Sequence, residues 1–220
     1  MPTEAGPLSR KTLLLATRNA GKAREFGWLL APVLDSLSLS LLYLPDLPGP
    51  APPEPGENAQ SFAGNAAIKA IHYRDLTGLP TLADDSGLLV DALNGAPGVL
   101  SARYGGPNLT DPGRCQRLLS ALEALTLPPY ARTARFEAAL ALALPGQAEP
   151  LLWEGSLHGS IALAPSGDGG FGYDPIFVPE GFAGTMAQLP PDEKNRLSHR
   201  ARAVALMARD LGEIGRRLRA

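Results

Sequence analysis

Residues 45–58, PDLPGPAPPEPGEN, concentrate proline and glycine in one stretch through which neither a regular helix nor a central strand can pass. The stretch is a long exposed connection, so structure must be built from the segments on either side of it. Those segments alternate. KTLLLAT (11–17) reads as an apolar strand after a loose tail over 1–10, and GKAREFGWLLAPV sets Phe26, Leu29, Leu30 and Val33 at helical spacing. A short strand at 39–44 precedes the proline-rich connection, and beyond it Ser61 to Thr77 predicts a helix that Gly78 and Pro80 end. Segment 111–125 predicts another helix, capped by Thr110 or Asp111 with Pro112 in its first turn. Strands at 132–144 and 150–164 follow as an antiparallel pair joined at Pro145-Gly146, then a strand at 175–178 and a closing helix over 192–218. The alternation predicts an α/β fold with a mixed sheet.

Composition narrows the class. The 220 residues are 45% hydrophobic and 19% charged, enough for a substantial core in one compact, possibly bilobed, domain over 11–220. A net charge of −2 gives no broad field for a nucleic acid polymer or an anionic membrane. Cys115 is the single cysteine, which excludes an internal disulfide and a cysteine-based zinc site. The start, MPTEAGPLSRK, is polar, and the apolar runs are far too short to span a bilayer, so the default location is the reducing cytoplasm.

Chemistry concentrates in four segments. In TLADDSGLLVD (81–91), Asp84 and Asp85 meet Ser86-Gly87 between two apolar runs, the pattern of an acidic hairpin with strands at 81–84 and 87–91. Taken alone it fits an ordinary polar turn. Two carboxylates side by side in a cleft repel each other without a cation, so the functional reading is a divalent metal site, Mg²⁺ above all. In LATRNAGKAREF a strand stops at Thr17 and a helix starts near Gly21, so backbone N–H groups, the helix dipole, Lys22 and Arg24 make an anion site suited to phosphate. The Walker A spacing is absent. In SGDGGFGYDPIF (166–177) glycines allow a close backbone approach, Phe171 and Tyr173 offer flat surfaces, and Asp174 offers an acceptor. In LPPDEKNRLSHRARA (189–203), Lys194, His199 and Arg200 lie at the start of the last helix; Lys194 and His199 are five apart and share no strict helical stripe. Each of these three also has a bland reading, as a capped helix start, a core-plugging loop and a solvated charged helix.

Five segments, LATRNAGK, SFAGNAAIKA, LADDSGLLVDALNGAPGVLSARYGG, GGFGYDPIF and EKNRLSHRARA, occur in the order found in one family. Over residues 12–210 the chain resembles the non-canonical purine nucleoside triphosphate pyrophosphatases, the inosine triphosphatase or XTP/dITP diphosphatase (Ham1-like) family. The resemblance implies a mixed sheet in two lobes with the active cleft between them and a homodimer. It also implies Mg²⁺-dependent hydrolysis of ITP, dITP and XTP to the monophosphate and pyrophosphate. By the same resemblance Thr17, Arg18, Asn19, Ala20, Gly21 and Lys22 hold the triphosphate, Asp85 binds metal and accepts a proton, and Ser86 contacts substrate. Phe171, Gly172, Tyr173 and Asp174 cradle base and sugar, and Lys194, His199 and Arg200 contact phosphate or the oxidised purine edge. Backbone amides near Phe171 join His199 and Arg200 as candidate donors to a 6-oxo group.

The chain departs from the family pattern in the proline-rich connection. PEPGENAQSFAGNAA stands where relatives carry a Glu-Glu-Thr-Gly-x-Thr-Phe stretch followed by Glu-Asn-Ala. Gly56 occupies the place of the first, metal-binding glutamate and Glu57 that of the second, so Glu57 or Glu54 is the candidate substitute ligand beside Asp84 and Asp85. Arg18 stands where many relatives have glycine and adds positive charge beside the phosphates.

Overall fold

In the computed structural model, residues 12–106, 108–125, 128 and 131–219 are described; the expected tail, 1–10, lies outside them. The mixed sheet expected from the alternation is present, with six strands in the order β2-β1-β3-β4-β5-β6. β1 (Thr12–Leu15) pairs in parallel with β2 (Ser40–Tyr43) and with β3 (Thr81–Val90). β4 (Thr133–Ala143) and β5 (Leu151–Ile161) follow, and β5 pairs antiparallel with β6 (Phe177–Pro179). By contact density the chain divides into two compact units. One holds the described residues through Asp85, Ala139–Glu154 and those from Ala203; the other holds Ser86–Ala138 and Gly155–Arg202. β3, β4 and β5 each belong in part to both units. None of the described helices is long and apolar enough to cross a membrane.

In the first unit, Leu13, Leu14 and Leu15 are all buried. A parallel strand covered on both faces needs such a continuous apolar run rather than an alternating one, as KTLLLAT supplies. α1 (Ala20–Leu29) and α2 (Ala31–Leu37) bury Phe26, Leu29 and Val33, so the expected single helix is broken at Leu30. α3 (Phe62–Thr77) follows the proline-rich connection. Ser61 accepts the Gly64 N–H at 3.1 Å to start α3, and Gly78, at φ +70, ends it by donating to the Arg74 carbonyl at 2.7 Å.

In the second unit α4 (Asp111–Glu123) is capped by Thr110, with Pro112 in its first turn. It presses Cys115, Leu118, Leu119 and Leu122 against Phe136 of β4 and Leu157 of β5 in one buried cluster. Each fully buried aliphatic or aromatic side chain contributes roughly 1.5–3 kcal/mol. The alanine run of β4, helix-forming by propensity, is strand, and Ala138 to Ala143 are buried throughout. The closing helix is three helices: α5 (Pro191–Leu197), α6 (His199–Arg209) and α7 (Leu211–Arg217). The first break is at Ser198, whose backbone is extended at φ −60, ψ 154.

The expected acidic hairpin does not form. Residues 81–90 are one uninterrupted strand, and Asp84-Asp85-Ser86-Gly87 lies inside it. Turn propensity gives way because tertiary partners compensate the two carboxylates in extended backbone. Gly87 is present for clearance rather than for turning: a β-carbon there would lie 2.3 Å from Ser101 Oγ and 2.6 Å from the Gly98 carbonyl oxygen. Ser101 Oγ accepts the Leu88 N–H at 2.9 Å and donates to Gly98 O at 2.6 Å, so it is held in place. Gly87→Ala therefore overpacks a fixed neighbour and is expected to cost about 1–3 kcal/mol. A urea midpoint equal to that of the unsubstituted protein would refute this clearance role.

Candidate active site

The register of the parallel strands brings two of the sequence segments together. Leu14 and Leu15 lie opposite Thr81 and Leu82, and the Ala16 N–H donates to Leu82 O at 2.8 Å. The loop leaving the carboxyl end of β1, Thr17 to Asn19, therefore emerges beside Asp84 and Asp85. The carboxyl ends of parallel strands are where open α/β sheets bind ligands. Thr17 is buried and its hydroxyl accepts the Asn19 N–H at 3.2 Å; the Asn19 side chain caps α1 by accepting the Lys22 N–H at 3.0 Å. The helix starts at Ala20, one residue before the expected Gly21. Arg18, Asn19, Ala20 and Arg24 are exposed, whereas Gly21 is buried.

Two lysines answer the two aspartates. Lys22 Nζ stands 2.5 Å from Asp84 Oδ2, and Lys69 Nζ stands 2.9 Å from Asp85 Oδ1 and 3.5 Å from Glu57 Oε1. Asn65 Nδ2 donates to Asp85 Oδ2 at 3.3 Å while its oxygen accepts the Ala59 N–H at 3.0 Å, so one buried amide ties the end of the connection to the aspartate. Burial pushes the Asp85 pKa up, Lys69 and then Lys22 pull it down, Asp84 adds to the rise, and the net position is above the ordinary carboxylate value of 3.8. For Lys69 burial pulls the pKa down, but Asp85, with Glu57 and Asp84, outweighs it and holds the ammonium above its ordinary 10.5.

Lys69 and Asn65 were missed as individual site residues in the sequence, although their segment was matched. A lysine in a helix is ordinarily a solvated charge. The available signal was their spacing: four apart on α3, they share a helix face, and both reach Asp85.

The two candidate glutamates separate. Glu54 pairs with Arg18 at 2.9 Å, and Arg18 also donates to the Pro52 carbonyl. The Pro53 carbonyl meets His72 Nε2 at 2.9 Å. Glu57 is the one drawn to the Asp85 cluster, through Lys69. Among the described residues no three side chains of metal-ligating type gather into a closed cage. The donor set nevertheless suits a hard cation, since the Lys69 ammonium already lies near two carboxylates, Asp85 and Glu57. Mg²⁺ in nucleotide sites uses one or two carboxylates, with water and phosphate oxygens completing its shell.

The second unit assembles the remaining residues. The Phe171 N–H donates to Asp174 Oδ2 at 2.8 Å, and Lys194 Nζ donates to the same oxygen at 2.7 Å. Lys194 Nζ and Arg200 Cζ lie over the Phe171 ring, 4.8 and 5.2 Å from its centroid. Arg200 Nη2 donates to Ser86 Oγ at 2.8 Å. His199 is buried and stacks on Phe136, with ring centroids 4.8 Å apart. Tyr173 departs from the expected flat platform: it is only 4% exposed, belongs to the core cluster and donates its hydroxyl to Ser101 O at 2.9 Å. The Phe171 and Gly172 amides also differ from their expected role, since both donate to protein carboxylates, Asp174 and Asp111.

Removing Lys69's charge while keeping its stem tests the electrostatics. A carboxyl whose folded pKa exceeds its unfolded value loses stability as pH rises from the unfolded pKa through the folded one. Lys69→Met removes the largest charge opposing that rise, so the penalty grows and extends to higher pH. The expected loss is about 3 kcal/mol at pH 7 and is smaller at pH 4, because Asp85 takes up its proton in the folded state before it does in the unfolded chain. Urea unfolding at the two pH values measures it, and an equal loss at both would contradict it.

Comparison with known proteins identifies the family of the chain. The model of the Ham1 family matches residues 13–210. A dITP/XTP pyrophosphatase of Geobacter sulfurreducens is 48% identical over 200 residues, covering 91% of this chain and 96% of that protein. One of Geobacillus kaustophilus is 45% identical over 204 residues, covering 93% and 96%. The solved structure of a HAM1 protein from Coxiella burnetii superposes with a TM-score of 0.80 at 40% identity, covering 92% of this chain and 98% of that one. With a family match across nearly the whole described chain and relatives of this closeness, the chain belongs to the Ham1 family.

Proposed function

We propose that this chain is a nucleoside triphosphate pyrophosphatase. It hydrolyses non-canonical purine nucleoside triphosphates, dITP, XTP and ITP, to the monophosphate and pyrophosphate with Mg²⁺. The observation that carries the reading is the pairing of Lys22 with Asp84 and of Lys69 with Asp85 where the α1 turn leaves β1. Cations and acids alternate there beside exposed backbone, as a site for a polyanion and its counter-cation requires. The names of the curated relatives, dITP/XTP pyrophosphatases, support the same substrate class.

Asp85, with Glu57, would hold the cation together with phosphate oxygens of the substrate. When bound, a dication neutralises phosphate charge and acidifies water. The protein's own groups do the rest. Lys22 and the amides at the start of α1 stabilise the pyrophosphate as it leaves. Asp85 accepts a proton from the water whose oxygen attacks the α-phosphorus, and the bond between that phosphorus and the α–β bridging oxygen breaks. By the family resemblance, Phe171 offers its ring to the purine, and Lys194 and Arg200 supply donors to a 6-oxo edge. Adenine presents an amino group at that position and leaves those donors unmatched. The homodimer implied by the family resemblance completes the proposal.

A panel of nucleoside triphosphates with Mg²⁺, scored for pyrophosphate, tests the reaction. ITP, dITP and XTP are expected to release pyrophosphate well ahead of ATP. Turnover confined to pyrimidine nucleotides would indicate a Maf-like activity, and silence throughout would indicate an inert nucleotide binder. Asp85→Asn, which ligates weakly and cannot accept the proton, is expected to lower kcat for ITP about a hundredfold or more; near-normal turnover at saturating Mg²⁺ would sink the assignment.

The glutamates divide in a second experiment. Glu57→Gln is expected to raise the Mg²⁺ concentration needed for half activity, whereas Glu54→Gln, whose carboxylate pairs with Arg18, is not. The reverse pattern would move the ligand to Glu54.

A further inference from the structure

Helix α4 engages both backbone polar groups of Gly172. Asp111 Oδ2 accepts the Gly172 N–H at 2.7 Å, and the Cys115 thiol donates to the Gly172 carbonyl at 3.3 Å. Cys115 can donate because it stays a thiol: burial, then the Asp111 and Asp174 carboxylates, pushes its pKa up to about 12. Gly172 stands at φ +63, a backbone conformation that needs external support to be unique. One residue earlier, the Phe171 amide is held by Asp174, and Asp174 is held by Lys194. Two consecutive amides of a glycine-rich loop are thus turned onto protein carboxylates. One of those carboxylates comes from outside the loop, from the first turn of α4, which is anchored in the core by Leu118, Leu119 and Leu122. Asp111 has a second partner in Arg114, whose guanidinium also donates to Leu109 O at 2.5 Å, so the carboxylate is oriented before any ligand arrives.

We propose that Asp111 is a positioning residue for the purine base. By holding the Gly172 amide it fixes the backbone that carries Phe171, and it commits recognition of the 6-oxo edge to side chains rather than to loop amides. This rests on the reading of residues 171–174 as the base site. A loop held in its binding conformation spares the ligand the cost of ordering it, so loss of the tether weakens ground state and transition state alike. The signature is a rise in KM without a matching fall in kcat.

The test uses the full chain with ITP as substrate and inorganic tripolyphosphate, which has no base, as competitive inhibitor. Asp111→Ala is expected to raise KM for ITP about tenfold, with kcat within about twofold and the tripolyphosphate inhibition constant unchanged. Asp111→Asn keeps an oxygen for the Gly172 N–H and is expected to recover most of that loss. An unchanged KM in Asp111→Ala overturns the proposal, as does a parallel rise in KM and in the inhibition constant, which would mark a general loss of structure. If Asp111→Ala does not fold, Asp111→Asn carries the test: a KM about two- to threefold above wild type supports the tether, since a charge-assisted bond has become a neutral one, and an unchanged KM overturns it. Wild-type protein silent on ITP overturns the functional reading and this inference with it, whereas wild-type turnover with an indifferent Asp111 overturns the inference alone.

Discussion

Two aspartates adjacent in a buried strand are the constraint around which the first unit is organised. Successive residues of a strand point to opposite faces, and Asp84 and Asp85 are each met by a different lysine. Lys22 comes from α1 to Asp84, and Lys69 comes from α3 to Asp85, with Asn65 supporting from the same helix. Burying a carboxylate unpaired costs several kcal/mol, so the placement of both helices is coupled to the charge state of one dipeptide. The proposed function rests on the same coupling, because two ammonium groups beside two carboxylates are the charges that a polyanion and its cation would each meet.

In the second unit two cationic side chains gather over one aromatic ring. Phe171 is met by Lys194 and Arg200, and its backbone is held by Asp174. On one continuous helix, residues five or six apart point in different directions. The break at Ser198 separates α5 from α6 and allows Lys194 and Arg200 both to reach the ring. EKNRLSHRARA holds no glycine or proline to mark that break. The Ser198 hydroxyl accepts the Ala201 N–H at 3.1 Å, in the manner of a helix cap.

Local signals were legible where a short stretch of chain decides the outcome. Asn19, Ser61 and Thr110 cap their helices as serine, threonine and asparagine do, Gly78 ends α3 with a left-handed residue, and the leucines of KTLLLAT make a strand covered on both faces. The hairpin at Asp84-Asp85-Ser86-Gly87 failed for the opposite reason. Asp, Ser and Gly prefer turns, but the preference amounts to about a kilocalorie per mole and gives way to long-range ion pairing. Tyr173 likewise reads as a ligand surface, and only the core cluster of α4, β4 and β5 shows that it is packing.

The sequence by itself determined the family, the alternation that makes an α/β mixed sheet, and the residue types of each candidate segment, because these reside in contiguous motifs and in apolar periodicity. The tertiary structure alone decided the partners. It gave Glu57 rather than Glu54 to Lys69, tied Arg18 to Glu54, turned the loop amides onto Asp111 and Asp174, and brought Lys69 to an aspartate sixteen residues away. A side chain's chemistry is local, but its counter-charge and its hydrogen-bond acceptor are set by strand register and helix packing, which no single segment contains.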